Sequence, residues 1–320
     1  MDRRRIPWVA LLALLLGAAA SGARSETLDE RLPLAEGGRV TIDLDLGIGL
    51  RPDRGALEVV AHDAADVHLV AESSGFGAWG VVFELDPRPD AIRLTGRVDG
   101  ATSWMFGGPR VVVRAFVPRG ATLDLRTSAG PISVEGTGGD LRVRADDGDV
   151  EVQGARGAIK LRTLRGRVEA SAIEGELDVK TSEGDIEITD IGGSVRARTT
   201  LGTIEAARIR GSLAARAAQG EIELLEVEGP VEARTGRGAV RLHFVSDPTG
   251  ALETADGGID VSFPTRGAAD LDARASQVEI GAGVAFVGES EDGQAIGALN
   301  EGGAPLWLRA PRGRIRLSRR

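Results

Sequence analysis

The chain has 320 residues, with 45 Gly, 13 Pro, no Cys, no Tyr, 3% aromatic residues and a formal charge of −9. The absence of Cys excludes a disulfide scaffold, a Cys-ligated zinc site, an iron–sulfur protein and a thiol enzyme, and the few aromatics disfavour a sugar cleft lined with aromatic platforms. Glycine is about twice its usual share without the every-third-residue period of collagen, so its spacing asks for a structural reason.

Residues 1–25 read as a secretory signal peptide. Arg3, Arg4 and Arg5 form a basic start, and Trp8–Ala20 is an apolar run too short to span a bilayer comfortably. Ser21-Gly22-Ala23 or Ala23-Arg24-Ser25 fits a cleavage site. The expected mature chain is exported, with no transmembrane segment, and is periplasmic, cell-surface or secreted. Its charge is −12, because residues 1–25 set Asp2 against four arginines. An acidic exported chain is not expected to bind nucleic acid.

Residues 26–125 carry strand-like runs at Val40–Leu44, Leu57–Val59, Val67–Val70, Val81–Phe83, Ile92–Leu94 and Val111–Val117. Turns separate them at Pro52–Gly55, Pro87–Pro89 and Pro118–Gly120. This section also holds Phe76, Trp79, Phe83, Trp104, Phe106 and Phe116. Trp79 and Trp104 stand in Gly-rich loops, where they either cover the open end of a core or make contacts. The section reads as a β-rich cap.

The regular part is residues 126–245. Gly recurs every nine residues from Gly130 to Gly238, thirteen times without a break. Each unit reads Gly-x-Φ-x-Φ with Φ apolar, as in Gly184-Asp-Ile186-Glu-Ile188. Apolar residues two apart predict a short strand with one buried face, and the preceding Gly predicts a turn needing positive φ or close backbone approach. Thr or Ala stands three residues before every second Gly (Thr127, Ala145, Thr163, Thr181, Thr199, Ala217, Thr235), and Ile173, Ile191, Ile209 and Val227 precede others by two. The true period is therefore eighteen, with two strands per coil. The predicted fold is all-β: a parallel β-solenoid, or β-helix, of about 18-residue coils with β-rich segments at both ends. Residues 246–320 continue it irregularly: the beat slips at Ser246-Asp247-Pro248 and resumes at Gly257-Gly258-Ile259-Asp260-Val261. Val278–Ile280, Pro305–Leu308 and Gly313–Leu317 add further strand runs.

This pattern, a β-rich opening ending in Val117-Pro118-x-Gly120, then Thr-x-x-Gly-x-Φ-x-Φ units and a closing Gly313-x-Ile315-x-Leu317, resembles the bacterial "putative adhesin" family of β-strand-repeat proteins. The likeness covers about residues 35–318. It implies an extracytoplasmic, non-enzymatic surface or envelope protein and brings no catalytic residues with it.

Aligned in columns of eighteen, the outward positions of one strand series are Glu151, Glu169, Glu187, Glu205 and Glu223. The other series places Arg144, Arg162, Lys180, Arg198, Arg216 and Arg234 outward, with Arg142, Lys160 and Arg196 beside them. Opposed sheets would then carry an acidic and a basic face. Neighbouring like charges about 4.8 Å apart repel by roughly 0.9 kcal/mol in water, so the ladders are tolerable but not free. Arg167 or Arg208 would offset part of the Glu column. The basic face suits an anionic glycan, lipopolysaccharide phosphates or an envelope protein. The acidic face suits divalent cations or the basic face of a second copy, giving face-to-face self-association.

No cofactor or resident metal site is expected. Calcium-roll repeats need paired Gly turns and an Asp in nearly every unit, which this chain lacks. His62, His68 and His243 read as surface or packing residues. The leading function is an adhesin-like or envelope-associated binding protein. The alternatives are a structural or regulatory envelope component with one protein partner, and a polysaccharide-active β-helix enzyme.

Overall fold

Each nine-residue unit hides one face of a short strand, and the backbone edges of that strand pair with the units one period before and after. A computed structural model describes residues 26–46, 55–75, 78–98 and 109–319. The expected signal peptide, Phe76, Trp104, Phe106 and the Trp79 side chain lie outside the described residues.

The first strands in chain order are β1 (Glu26–Pro33), β2 (Arg39–Asp45), β3 (Gly55–His62), β4 (Asp66–Ser74), β5 (Val81–Pro87), β6 (Ala91–Val98), β7 (Arg110–Pro118), β8 (Thr122–Thr127) and β9 (Ile132–Glu135). The regular coils follow as β10 (Leu141–Asp147), β11 (Val150–Gln153), β12 (Arg156–Arg165), β13 (Val168–Glu183), β14 (Ile186–Ile191), β15 (Val195–Leu201), β16 (Ile204–Ile209), β17 (Leu213–Gln219), β18 (Ile222–Val227), β19 (Val231–Arg237) and β20 (Val240–Phe244). The chain then adds β21 (Gly250–Asp256), β22 (Ile259–Phe263), β23 (Ala269–Ile280), β24 (Phe286–Glu291), β25 (Gln294–Leu299) and β26 (Pro305–Arg319).

These strands build the predicted β-solenoid, with two parallel walls facing each other. The front wall runs β6–β2–β8–β10–β12–β13–β15–β17–β19–β21–β26–β23. The back wall runs β7–β3–β9–β11–β13–β14–β16–β18–β20–β22–β26–β23. β13, β23 and β26 turn a corner and serve both walls. Register advances by eighteen residues per coil, as in Leu141↔Ile159 and Ile186↔Ile204. It advances by nineteen after the slip, at Val231↔Gly250 and Val240↔Ile259. The extra residue falls at Ser246-Asp247-Pro248, beside an irregularity in the β18–β20 pairing.

The N-terminal section does more than cap: it supplies two coils of its own. β2 lies between β6 and β8, and β3 between β7 and β9, so the first coil in sequence is second in space. The C-terminus mirrors this, because β26 inserts between the β21/β22 coil and β23. Antiparallel strands extend the terminal edges: β5 on β6, β4 on β7 with β1 beyond it, and β25 on β23 with β24 beyond it. Both ends are thus sewn in and most of their edges are occupied.

The core between the walls is thin and aliphatic. Leu141, Val143, Val150 and Val152 of one coil are all buried, and the same positions are buried in the next. Phe244 and Phe263 are the largest fully buried side chains, and they fill the coils next to the slip. Phe83 packs against the core, while Phe116 stacks on His68 with ring centroids 5.6 Å apart.

Both reasons for the glycine beat are present, one dominating at each corner. At the front-to-back corner Gly220 has φ of 144°, and a Cβ there would lie 1.9 Å from the Gly202 carbonyl oxygen. At the opposite corner Gly211 needs no unusual φ, but a Cβ would lie 2.3 Å from the Gly193 carbonyl oxygen. The Thr column serves the first corner from inside. Thr163, Thr199 and Thr235 are buried and donate to the carbonyls of Gly148, Gly184 and Gly220 at 3.3, 3.2 and 2.9 Å.

A second periodic feature escapes the sequence pattern. Gly136, Gly154, Ala172, Asp190, Arg208 and Glu226, eighteen apart, all adopt φ between 54° and 76°. This left-handed residue turns each back-wall strand so that the next side chain (Ile173, Ile191, Ile209 or Val227) points into the core. A non-glycine residue there costs roughly 1–2 kcal/mol.

Two stability tests follow from the corners. Gly220→Ala should destabilise by about 2–3 kcal/mol, because the methyl meets backbone that cannot yield. Glu226→Gly, at an exposed left-handed corner, should be neutral or stabilising by up to about 1 kcal/mol. Denaturant unfolding of the two variants reads both; equal losses would show that corner geometry does not govern stability.

Candidate functional site

Strand alternation decides what reaches solvent. On the front wall Leu141, Val143 and Ala145 point inward, so Arg142 and Arg144 point outward, and each later coil repeats the choice. Register then stacks the outward residues. Arg126, Arg144, Arg162, Lys180, Arg198, Arg216 and Arg234 form one unbroken column, each the ladder partner of the next. Beside it runs Asp124, Arg142, Lys160, Asp178, Arg196, Ala214 and Glu232. Sequence reasoning did not include Arg126, although it continues the same column one coil earlier.

The ends of this basic face are neutralised, and in its middle only Asp178 stands among the cations. Arg126 and Arg144 lie 3.3 and 3.9 Å from Asp124. Arg216 and Arg234 lie 2.8 and 3.4 Å from Glu232, and Arg234 also reaches Glu253 at 3.4 Å. The hydrogen bond from Arg216 holds the Glu232 carboxyl below its ordinary range, against a smaller opposing effect of burial. Arg198 lies 3.5 Å from Asp178. Among the described residues, Arg142, Lys160, Arg162, Lys180 and Arg196 have no carboxylate within 4 Å. The last five occupy four successive coils and include both lysines of the chain.

On the back wall Glu151, Glu169, Glu187, Glu205 and Glu223 stand in register, and Arg241 follows Glu223 in the same column. Arg167 bridges two of them: it meets Glu169 at 3.0 Å and makes a short contact with Glu187. Arg208 does not join this column. Its guanidinium takes Asp190 in two hydrogen bonds of 2.6 and 2.8 Å, at the left-handed corner, and lowers that carboxyl's pKa. Among the described residues, Glu151, Glu205 and Glu223 have no cation within 4 Å. Among the described residues no group of three His, Cys, Asp or Glu side chains could hold a metal ion.

The histidines do not converge. His68 contacts Asp29 at 2.7 Å, His62 accepts from the Ala64 amide at 3.2 Å, and His243 lies 2.9 Å from the Ser262 hydroxyl. Sequence reasoning also passed over Trp307. Its neighbours Leu306 and Leu308 are buried, so the indole faces out from the front wall, 49% exposed. The alternation Leu306-Trp307-Leu308 carried that signal, but the wall to which it belonged was not readable.

No described helix is long and apolar enough to cross a membrane. No curated protein matches the chain. Three solved structures align along most of it: a "putative cell adhesion protein" from Clostridium sporogenes (9% identity, 93% of this chain, 100% of that one, TM-score 0.21); a "putative adhesin" from Bacteroides fragilis (10%, 92% and 97%, TM-score 0.34); and a "putative adhesin" from Parabacteroides merdae (11%, 92% and 96%, TM-score 0.34). The family model described as Toastrack DUF4097 matches residues 110–225, the coils from β7 into β18 that carry the repeat and most of the basic face. Over that segment the chain is similar to the Toastrack family, in line with its likeness to the "putative adhesin" group.

Proposed function

We propose that this is an exported, adhesin-like envelope protein that works by surface contact rather than catalysis, its front wall holding an anionic polymer. One observation carries the reading. In a chain of charge −9, five cations from four successive coils share one flat face and, among the described residues, have no carboxylate within 4 Å. Spacing of one coil, about 4.8 Å, keeps like charges close at a cost in repulsion that a bound polyanion would remove. The basic start and apolar run within residues 1–25 support export.

A second reading has its own support. The unpaired Glu151, Glu205 and Glu223 of the back wall share the coil spacing of the front-wall cations, so two copies can meet face to face.

Changing Arg142, Arg162 and Lys180 together to Glu should weaken binding to a soluble acidic polysaccharide by about 10- to 100-fold, and wild-type affinity should fall steeply with added salt. Calorimetry reads both; salt-independent binding that survives the triple change would sink the proposal. Sedimentation across the same salt series tests the second reading, which predicts dimers at low salt that dissociate as salt rises.

A further inference from the structure

The front wall does not end with its cations. Four ladder steps beyond Arg196, through Ala214, Glu232 and Ala251, stands Trp307. At one coil per step this is ~19 Å along the solenoid axis. Because Ala214 and Ala251 are small between taller neighbours, the wall sinks there into a groove of about 500 Å³. Arg196 closes one end and Trp307 the other, with Ser194, Ser212 and Glu232 along its length. The Ser212 hydroxyl donates to that of Ser194 at 3.0 Å, which leaves oxygen lone pairs and a hydroxyl proton available at this rim.

Trp307 needs explaining. It is one of four Trp in a chain with 3% aromatics, and it projects from an inner coil flanked by β21 and β23 rather than from an end. Its ring is half exposed and its indole N–H donates to no acceptor among the described residues. A rigid strand position of this kind presents an apolar face at little entropic cost.

We infer that the groove is a saccharide subsite, and that the polymer is an acidic polysaccharide lying along the solenoid axis. This rests on the proposed anion-binding role of the front wall and names the chemical class of its ligand. Acidic groups of the chain meet Arg142, Lys160, Arg162, Lys180 and Arg196, and a pyranose further along stacks its C–H face on Trp307. Sugar hydroxyls donate to Glu232 and exchange hydrogen bonds with Ser194 and Ser212. A pyranose unit and a coil are of similar length, so successive sugars advance in step with successive strands. A bilayer surface fits this end less well. Asp270 and Glu289 stand among the apolar groups around Trp307, Ile296 and Val287, where anionic lipid would repel them and sugar hydroxyls would use them.

The purified protein should be titrated with a galacturonate oligosaccharide, with polyphosphate of matched charge and with phosphatidylglycerol vesicles. Galacturonate should change the Trp emission of the wild type but not of Trp307→Phe. Trp307→Ala should lose about tenfold in affinity for galacturonate and none for polyphosphate. Equal galacturonate binding by wild type and Trp307→Ala would overturn the subsite while leaving the anion-binding face standing. Failure of both soluble polyanions to bind the wild type would overturn the face, and the subsite with it. Vesicle binding that depends on Trp307, with no galacturonate binding, would overturn the saccharide assignment in favour of a lipid surface.

Discussion

Every feature of the molecule depends on how closely one coil can approach the next. Parallel strands pair only if their backbones lie about 4.8 Å apart, and at the corners the chain must turn while keeping that spacing. There a side chain would collide with the carbonyl of the coil below, as the 1.9 Å approach at Gly220 shows. Glycine is the residue that leaves room, and the buried Thr hydroxyls bond the same carbonyls from the core side. The left-handed corners on the back wall accept Asp, Arg and Glu instead, because their Cβ atoms point to solvent and only the torsion is costly.

The same close stacking makes function periodic. A residue in one coil is repeated at one strand spacing in the next, so any charged outward position becomes a ladder. Carboxylates neutralise the front ladder near its ends, and in the middle only Asp178 stands among the cations. On the back wall, among the described residues, Arg167 is the one cation that forms ion pairs with the glutamate column. Under the proposed binding role, a surface of this sort suits a partner that is itself repetitive, held by many modest contacts rather than at one site.

Much of this was legible in the sequence, for a definite reason. The nine-residue glycine beat and the two-residue apolar alternation are local patterns, and each coil sees the same environment. Strand positions, the eighteen-residue register, the slip at Ser246-Asp247-Pro248 and the membership of both charge columns follow from them. Two expectations needed adjusting. The section before residue 126 supplies coils as well as a cap, and Arg208 serves Asp190 rather than the glutamate column. Trp307 was passed over because its strand, last in sequence, is not last in space.

The sequence by itself thus determined the repeat, the two-wall solenoid and the side on which each charge lies, because these depend on spacing within one unit. Tertiary structure alone decided the order of the terminal coils, since the insertion of β2/β3 and of β26 rests on pairings between distant segments. It also decided which cations stay unpaired, because ion pairing depends on side chains from different coils. And it decided that Trp307 and Arg196, 111 positions apart in the chain, close the two ends of one groove.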